Sequence, residues 1–370
     1  MIVGILKEIK VEENRVSMTP AGVEVMKQNG HTVLVERNAG TGSGLVDAEY
    51  IGAGAEIVDT PKEIFHRVDM VMHVKEPQPS EYPLIKGDQI VFTYLHLAAA
   101  EQLTHALIKT GSIDIAYETI QKADGTLPLL TPMSEVAGRM AIQQGAKYLE
   151  MAQGGDGVLL GGVPGVDPGT VLIIGGGIVG INAAKTACGL GAKVYVVDMN
   201  LDRLRYLSDV MPSNCFLLMS SPATIRDLIT RADVVVGAVL IPGAKAPKLV
   251  RRDMLKTMKK GSVLVDVAID QGGCFETSKP TTHSDPIYTV DGVVHYCVAN
   301  MPGALPRTST IALTNATLPY AVHIANKGWK KAMIENPEIK PGANVVRGKV
   351  TCKGVADAFG LEYVPIDSLL

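Results

Sequence analysis

The chain has few cysteines and no excess of basic charge. Its five cysteines among 370 residues are odd in number and widely spaced, and they form no Cys-x-x-Cys pair. This pattern argues against both a disulfide framework and a zinc site. Charged residues make up 20% of the chain and the formal net charge is −3, so no basic face for nucleic acid or an anionic membrane is expected. We therefore expect free thiols, no bound metal and no nucleic-acid partner.

Long uninterrupted apolar runs are also missing. The longest charge-free apolar stretch is interrupted by glycines and ends at Lys185, whereas a membrane span needs about 18 or more apolar residues. Lys7 and Glu8 stand where a signal peptide would have its apolar region. We therefore expect a cytoplasmic protein with no membrane partner. The length and the 46% hydrophobic content suffice for two domains that each bury a core.

The most informative feature that is present is a glycine motif between two apolar runs. The β-branched run 170–174 leads into Gly175-x-Gly177-x-x-Gly180, and the next run ends at Asp198, 18 residues after Gly180. In dinucleotide-binding units these glycines permit a tight turn, a close approach of the pyrophosphate and helix–strand packing. A carboxylate at the position of Asp198 can bind the adenine-side ribose and repel a 2′-phosphate. The segment therefore predicts NAD rather than NADP, the alternative being a glycine-rich turn in any α/β protein.

Strand and helix signals alternate on both sides of this motif. Apolar, β-rich runs predict strands at residues 2–6, 31–36, 69–74, 89–95, 112–116, 233–239 and 262–269. Thr19-Pro20 and Thr60-Pro61 are typical of helix starts, and Glu63 follows Thr60 at the spacing of a capping box. The pattern breaks near 124–128, and a helix is predicted from Thr131. We expect an α/β fold of two doubly wound, Rossmann-like domains with parallel sheets that flank a cleft.

Four polar side chains follow predicted strands, at the edge where parallel sheets bind ligands. Arg15, Lys75 and His96 belong to the first domain, and Asp270 belongs to the second. The two cations suit a small acidic substrate, whereas His96 and Asp270 could move protons. Each residue has a structural alternative. Arg15 could be a solvated loop charge, Lys75 could form an exposed ion pair with Glu76, and the other two could be strand-end caps.

Seven segments of the chain resemble NAD-dependent alanine dehydrogenases, in the order of that family. They span essentially the whole sequence, at residues 1–16, 74–77, 93–98, 133–138, 170–180, 266–273 and 300–304. The resemblance implies that Arg15 and Lys75 bind the substrate carboxylate and carbonyl oxygen. It also implies that His96 and Asp270 form the acid/base pair.

The resemblance further implies a set of cofactor contacts that extends beyond the glycine loop. Ser134 could instead support a helix start, Ser220 could cap the next helix, Arg203 could be a solvated charge and Asn300 could fix a turn. Lys279 stands where arginine is expected in some relatives, so a cofactor contact there is left open. The implied contacts are Ser134, Gly175, Gly177, Ile178, Val179, Gly180, Asp198, Arg203, Ser220, Val239, Leu240, Val267, Ala268, Ile269, Asp270, Val298, Ala299, Asn300 and Met301.

The activity that the resemblance implies is the reversible conversion of L-alanine, NAD⁺ and water into pyruvate, ammonium and NADH. The family is expected to form a homo-oligomer, a hexamer. Its fold completes the first domain with the C-terminal segment. Residues 1–128 with 307–370 are therefore expected to form the substrate domain, and residues 129–306 the NAD-binding domain.

Three other functions stay open at this point. The NAD-binding soluble part of a proton-translocating transhydrogenase has the same architecture, although the four strand-end residues favour a dehydrogenase. A hydroxy-acid dehydrogenase would not require ammonium in the reductive direction. An NAD-sensing or scaffold protein would bind NADH tightly without turnover.

Overall fold

The computed structural model describes residues 1–239 and 246–370. These divide into two compact units, one formed by Met1–Met133 with Gly303–Leu370 and the other by Ser134–Pro302. Leu240, one of the expected cofactor contacts, lies outside the described residues. None of the described helices is both long and apolar enough to cross a membrane.

Fifteen strands and twelve α-helices make up the described chain. The strands are β1 (Ile2–Ile5), β2 (Thr32–Glu36), β3 (Glu56–Val58), β4 (Met70–Met72), β5 (Ile90–Thr93), β6 (Ile113–Ala116), β7 (Thr170–Ile174), β8 (Lys193–Asp198), β9 (Cys215–Met219), β10 (Val234–Gly237), β11 (Val263–Asp266), β12 (Ile287–Val290), β13 (Val293–Tyr296), β14 (Ala343–Val346) and β15 (Lys349–Val350). The helices are α1 (Pro20–Gln28), α2 (Asp47–Gly52), α3 (Pro61–Arg67), α4 (Glu101–Thr110), α5 (Thr131–Tyr148), α6 (Ile178–Gly189), α7 (Leu201–Val210), α8 (Pro222–Ile229), α9 (Arg252–Leu255), α10 (Pro306–Lys327), α11 (Trp329–Glu335) and α12 (Lys353–Phe359).

The first unit is built on an eight-stranded sheet with the order β3-β2-β1-β4-β5-β6-β14-β15. Strands β1 to β6 pair in parallel, and β14 adds antiparallel to β6. The strand order reverses between β1 and β4. In doubly wound sheets ligands bind at such a reversal, outside the carboxyl ends of the strands. A ligand site is therefore expected at the loops after β1 and β4 and at the neighbouring loop after β5.

The second unit repeats this design with seven strands in the order β9-β8-β7-β10-β11-β13-β12. All neighbours pair in parallel except β12 and β13. The reversal lies between β7 and β10, so the loop after β7 occupies the ligand-binding position. The predicted fold class of two doubly wound α/β domains is confirmed, with sheets that are mostly rather than wholly parallel.

Antiparallel hairpins at the sheet edges are the main departure from the predicted fold. Asp291 (φ 51°) and Gly292 (φ 80°) form the turn between β12 and β13, and Arg347 (φ 50°) and Gly348 (φ 78°) form the turn between β14 and β15. Two successive residues in the left-handed region are typical of two-residue hairpins, for which Asp-Gly is a strong signal. The sequence interpretation did not use that signal.

Local predictions along the chain are largely confirmed. Strands β1, β2, β4, β5, β6, β10 and β11 lie inside the predicted runs, whereas β3 and β9 were not predicted. The side-chain oxygens of Thr19 and Thr60 cap α1 and α3. Glu63 forms an ion pair with Arg67 at 2.9 Å, and its backbone N–H donates to Thr60.

The burial of the strands explains why their sequences are apolar. Every residue of β4, β5 and β6 is buried, as expected for parallel strands covered on both faces. In the second unit, Leu172, Val235 and Leu264 of neighbouring strands share one core cluster with Ile225 and Leu228 of α8. The sheets are therefore rigid platforms from which the loops project.

The close contact between Gly175 and Gly180 makes the packing of α6 against the glycine loop testable. A Cβ on Gly180 would lie 1.9 Å from the carbonyl oxygen of Gly175, whereas a Cβ on Gly189 in the same helix would meet no atom of the described residues within 4 Å. Gly180→Ala should lower the free energy of unfolding by about 2 kcal/mol or more, because backbone must move. Gly189→Ala should leave it unchanged or raise it by up to about 1 kcal/mol. Denaturant unfolding measures both, and equal stabilities of the two variants would contradict the close packing.

Candidate active site

Arg15 lies in the loop after β1 and is only 2% exposed. The buried carboxylate of Glu13 holds its guanidinium at two points, with Nε 2.7 Å from Oε1 and Nη2 2.6 Å from Oε2. Burial alone would lower the pKa of Arg15, but the Glu13 carboxylate outweighs it and the pKa is raised. A two-point pair fixes the plane of the guanidinium. The alternative of a solvated loop charge is wrong.

Lys75 follows β4 and is half-buried. Burial and the positive charges of Arg15 and Lys10 lower its pKa. The structure therefore brings Arg15 and Lys75 close enough for their charges to interact. Glu76 forms its ion pair with Lys10, so the predicted alternative of an exposed Lys75–Glu76 pair is wrong. A lysine whose pKa is lowered by burial and by neighbouring cations is suited to an anionic ligand.

A buried histidine between two carboxylates fixes the turn that carries Lys75. His73 is 1% exposed; its Nδ1 lies 3.1 Å from Glu8 Oε1 and its Nε2 lies 3.2 Å from Glu81 Oε1. Glu8 Oε1 also accepts from the backbone N–H of Val74 at 2.6 Å. Burial would lower the pKa of His73, but the two carboxylates raise it to about 10. His73 is therefore a buried cation at neutral pH.

His96 follows β5 with a left-handed backbone, at φ 50°. The backbone N–H of His96 donates to Glu118 Oε1 at 2.6 Å, and the backbone N–H of Leu95 donates to the same carboxylate at 3.2 Å. The ring stacks on Tyr94 at a centroid distance of 5.8 Å, and Nδ1 lies 3.9 Å from Glu118 Oε1. Half of the side chain is exposed. A positive φ is uncommon outside glycine and is often found at functional positions.

The glycine loop after β7 has the form that a dinucleotide requires. Gly175 has φ 104°, and Gly177 is the N-cap of α6, with no side-chain hydrogen bond to that cap. Among the described residues, no atom lies within 4 Å of the position that a Cβ on Gly177 would take. The first-turn N–H groups of α6, which begins with Ile178 and Val179, therefore face an open approach suited to an anion. These residues fit a bound pyrophosphate.

Asp198 and Arg203 both contact that loop. Asp198 Oδ2 accepts from the N–H of Gly176 at 2.6 Å, and Arg203 Nε donates to the carbonyl of Gly176 at 2.5 Å. Arg203 also lies over the ring of Tyr206 at 4.9 Å. The alternative of a merely solvated Arg203 is therefore wrong. The carboxylate and the guanidinium lie where the adenine-side ribose of a dinucleotide would be expected.

Asp270 lies in the loop after β11, which is organised by buried Asp266. Asp266 Oδ2 accepts from the N–H of Cys274 at 2.9 Å and from Ser278 Oγ at 2.5 Å, and Oδ1 accepts from Ala268 at 3.1 Å. Burial raises the pKa of Asp266 despite these hydrogen bonds. Asp270 itself is exposed, and its Oδ2 lies 3.4 Å from the N–H of Asn300.

The other expected cofactor residues of the second unit also follow strands. Ser220 follows β9, Val239 follows β10, residues 267–269 follow β11 and residues 298–301 follow β13, whereas Ser134 lies in α5. Ser221, rather than Ser220, caps α8. Asn300 adopts φ 56°. Lys279 is exposed, and its N–H donates to Tyr288 Oη at 2.7 Å.

The structure thus gathers Arg15, Lys75 and His96 at the carboxyl end of the first sheet. It gathers the glycine loop, Asp198, Arg203 and the Asp270 loop at the carboxyl end of the second. Among the described residues, no group of three or more His, Cys, Asp or Glu side chains could hold a metal ion. The chemistry on offer is anion binding, proton transfer and dinucleotide binding.

Sequence interpretation missed the carboxylates that hold these residues, namely Glu8, Glu13, Glu118 and Asp266. Glu13 and Asp266 stand within four residues of the side chains they serve, and an acidic residue next to a predicted site could have flagged them. Glu8 and Glu118 lie 67 and 22 residues from Lys75 and His96, respectively. Only the sheet topology brings them into contact.

The chain is similar to known proteins over nearly its whole length. The family model described as "Alanine dehydrogenase/PNT, N-terminal domain" matches residues 4–137, and "Alanine dehydrogenase/PNT, C-terminal domain" matches residues 141–353. The chain is 58% identical over 371 residues to an alanine dehydrogenase of Methanococcus maripaludis. It is 56% identical to alanine dehydrogenase 2 of Staphylococcus aureus, and each comparison covers 100% of both chains.

Solved structures of related proteins also match this chain over nearly its whole length. An L-alanine dehydrogenase matches with a TM-score of 0.94 at 50% identity, covering 97% of this chain and 99% of that chain. A transhydrogenase from Sinorhizobium meliloti matches with a TM-score of 0.82 at 25% identity, covering 95% of this chain and 99% of the other.

The charged state of His73 makes stability depend on pH. Its pKa is about 10 in the folded protein, against about 6.5 ordinarily. A raised pKa stabilises the folded state fully below about pH 6.5, and this contribution is lost as the pH rises towards 10. The stability difference between wild type and His73→Gln should therefore shrink steadily from pH 6.5 to 10.5 in denaturant unfolding. A stability difference that stays constant over this range would mean that the ring of His73 is neutral in the folded protein.

Proposed function

Because the chain belongs to the alanine dehydrogenase/PNT family, we propose that it is an L-alanine dehydrogenase, catalysing the reversible NAD-dependent oxidative deamination of L-alanine to pyruvate and ammonium. Full-length similarity to proteins named alanine dehydrogenase supports the reaction class. The observation that carries the proposal is the gathering of Arg15, Lys75 and His96 at the carboxyl end of the first sheet. Two cations and one proton-transfer group are what a small amino or keto acid requires.

Substrate recognition is assigned to the two cations. Arg15 binds the carboxylate, because Glu13 holds the guanidinium plane rigidly. Lys75 binds the carbonyl oxygen of pyruvate. Burial and the positive charge of Arg15 lower the pKa of Lys75, and the negative charge of the substrate offsets that effect of Arg15 when it binds.

Proton transfer is assigned to His96 and Asp270. Oxidation of the amino acid leaves an iminium that water must attack, and ammonia must then leave, so protons move in both steps. The exposed half of the His96 ring is available to substrate, while Glu118 holds its backbone. Asp270, at the tip of its loop, orients water or the departing ammonium.

NAD is the proposed cofactor, and it would supply the hydride acceptor. Its pyrophosphate is assigned to the glycine loop and the N-terminus of α6, and its adenine-side ribose to Asp198. The space that the described residues leave open beside Gly177 supports this assignment. The remaining contacts proposed are Ser134, Ile178, Val179, Arg203, Ser220, Val239, Val267, Ala268, Ile269, Asp270, Val298, Ala299, Asn300 and Met301, with Leu240 from outside the described residues.

Domain roles, assembly and location complete the proposal. Residues 1–128 with 307–370 form the substrate domain and residues 129–306 the NAD-binding domain, which the boundaries of the two compact units support. We propose a cytoplasmic location for the enzyme and, following the family resemblance, assembly as a homohexamer. Light scattering of active enzyme tests the assembly, and a monomer would contradict it.

Steady-state kinetics test the activity. NADH should appear with L-alanine and NAD⁺, and NADH should be consumed with pyruvate only when ammonium is present. Pyruvate reduction without ammonium would identify a hydroxy-acid dehydrogenase instead. Tight NADH binding without turnover in either direction would indicate a cofactor-sensing protein.

Variants at Lys75 and His96 should separate binding from chemistry. Lys75→Met should raise the KM for pyruvate at least about tenfold, because a charge that meets the substrate is lost. His96→Asn should lower kcat by roughly 10²–10⁴, the usual contribution of a positioned acid or base. Asparagine is the matched replacement because it tolerates the left-handed backbone of this position.

Kinetics in both directions, with NADH binding measured by fluorescence, give the readouts. NADH affinity should stay within about threefold of wild type in both variants, since neither residue belongs to the cofactor unit. A wild-type kcat for His96→Asn across the pH range would exclude histidine from proton transfer. An unchanged KM for Lys75→Met would make Lys75 a structural charge.

Asp198 should set the choice of cofactor. Asp198→Asn keeps an acceptor for the N–H of Gly176 but removes the charge that repels a 2′-phosphate. The ratio of kcat/KM for NADP⁺ to that for NAD⁺ should rise about tenfold or more, equivalent to about 1.4 kcal/mol. Asp202→Asn, on the exposed face of α7 and paired with Arg205, is the control and should leave the ratio unchanged. An unchanged ratio for Asp198→Asn would assign cofactor choice to another residue.

A further inference from the structure

Three carbonyl oxygens of the loop that carries Asp270 converge on one side chain. Lys248 Nζ donates to the carbonyl of Gly272, to that of Gly273 at 3.0 Å and to that of Phe275 at 3.1 Å. Gly272 and Gly273 adopt φ 88° and 76°, a backbone that other residues rarely adopt. An ammonium group has three N–H donors and no acceptor, so it matches three carbonyls.

Lys248 and Asp266 bind complementary backbone groups of this loop: Asp266 accepts from its N–H groups, and Lys248 donates to its carbonyl oxygens. Asp266 accepts the N–H groups of Ala268, Cys274 and Phe275, at 3.1, 2.9 and 3.3 Å. The ammonium group of Lys248 donates to the carbonyl oxygens of Gly272, Gly273 and Phe275. Hydrogen bonds to a charged partner are roughly twice as strong as neutral ones. The segment from 267 to 275 is therefore held between a carboxylate and an ammonium, with Asp270 projecting from it.

Backbone contacts place Lys248 firmly enough to act in this way. The N–H of Ala246 donates to Gln271 at 3.1 Å, and the N–H of Leu249 donates to Cys274 at 2.7 Å. The residues on both sides of Lys248 are thus tied to the same loop. Because the backbone on both sides of Lys248 is already ordered, only the rotamer freedom of its side chain is lost when it binds the three carbonyls.

We propose that Lys248 is a positioning residue for Asp270, acting through the three carbonyls of residues 272, 273 and 275. The proposal rests on the proposed function only for the role of Asp270 in turnover. The hydrogen bonds from Lys248 to the loop lie within the chain itself and do not depend on the proposed function. Removing the side-chain ammonium group of Lys248 leaves three carbonyl oxygens without their common donor, so the backbone of the loop becomes more mobile. A displacement of about 1 Å of a catalytic group can cost up to 100-fold in rate.

The test compares Lys248→Met, Lys248→Arg and a control. Methionine keeps the aliphatic length and removes the charge, whereas arginine keeps both charge and donors. Lys260→Met is the matched control, because Lys260 lies in the same unit and donates to the single carbonyl of Asp291. Hydrogen exchange of the full-length protein without cofactor is measured over residues 267–275, and kinetics with L-alanine and NAD⁺ are measured alongside.

Lys248→Met should exchange faster over residues 267–275 and lose about tenfold in kcat, with a KM for L-alanine within twofold of wild type. Lys248→Arg should lie closer to wild type on both readouts, and Lys260→Met should match wild type. Unchanged exchange over 267–275 in Lys248→Met overturns the proposal, and so does a kcat within twofold of wild type. Absence of alanine oxidation by the wild type would instead refute the proposed function and leave the exchange test standing.

Discussion

A carboxylate that accepts backbone N–H groups just beyond the end of a strand is the interaction on which the site depends. It recurs four times, in Glu8, Glu118, Asp198 and Asp266, which hold the turns bearing Lys75, His96, the glycine loop and Asp270. The carboxyl ends of parallel strands leave N–H groups of the following loops without ladder partners. A carboxylate satisfies several of them at once, and its charge strengthens each hydrogen bond. Loops held in this way present side chains with the precision that catalysis requires.

Buried carboxylates also balance the positive charge that an acidic substrate demands. Arg15 and His73 are both buried cations, and each lies against glutamate, Arg15 against Glu13 and His73 against Glu8 and Glu81. A buried charge without a partner would cost several kcal/mol. Lys75 differs, because burial and neighbouring cations lower its pKa. The binding site is therefore built from compensated charges around one cation that gains most when an anion binds.

Sequence alone anticipated those parts of the molecule that are encoded locally. The glycine loop, Asp198 and the helix caps at Thr19 and Thr60 depend on neighbours within a few residues, and so does the apolar character of the buried strands. Contacts between distant residues were not accessible. Glu118 reaches His96 only because β5 and β6 are adjacent, and Lys248 reaches the Asp270 loop only through backbone pairing at 246 and 249. The hairpin at Asp291-Gly292 was locally encoded and overlooked.

The central claim is that this chain moves hydride from the α-carbon of L-alanine to a nicotinamide. The most direct measurement is isotope transfer: wild-type enzyme is incubated with NAD⁺ and L-alanine carrying deuterium at Cα, and the reduced nucleotide is examined by NMR and mass spectrometry. The account predicts one deuterium per NADH, at C4 of the nicotinamide, together with stoichiometric pyruvate. NADH without deuterium, or no NADH from an enzyme that binds the nucleotide, would contradict it.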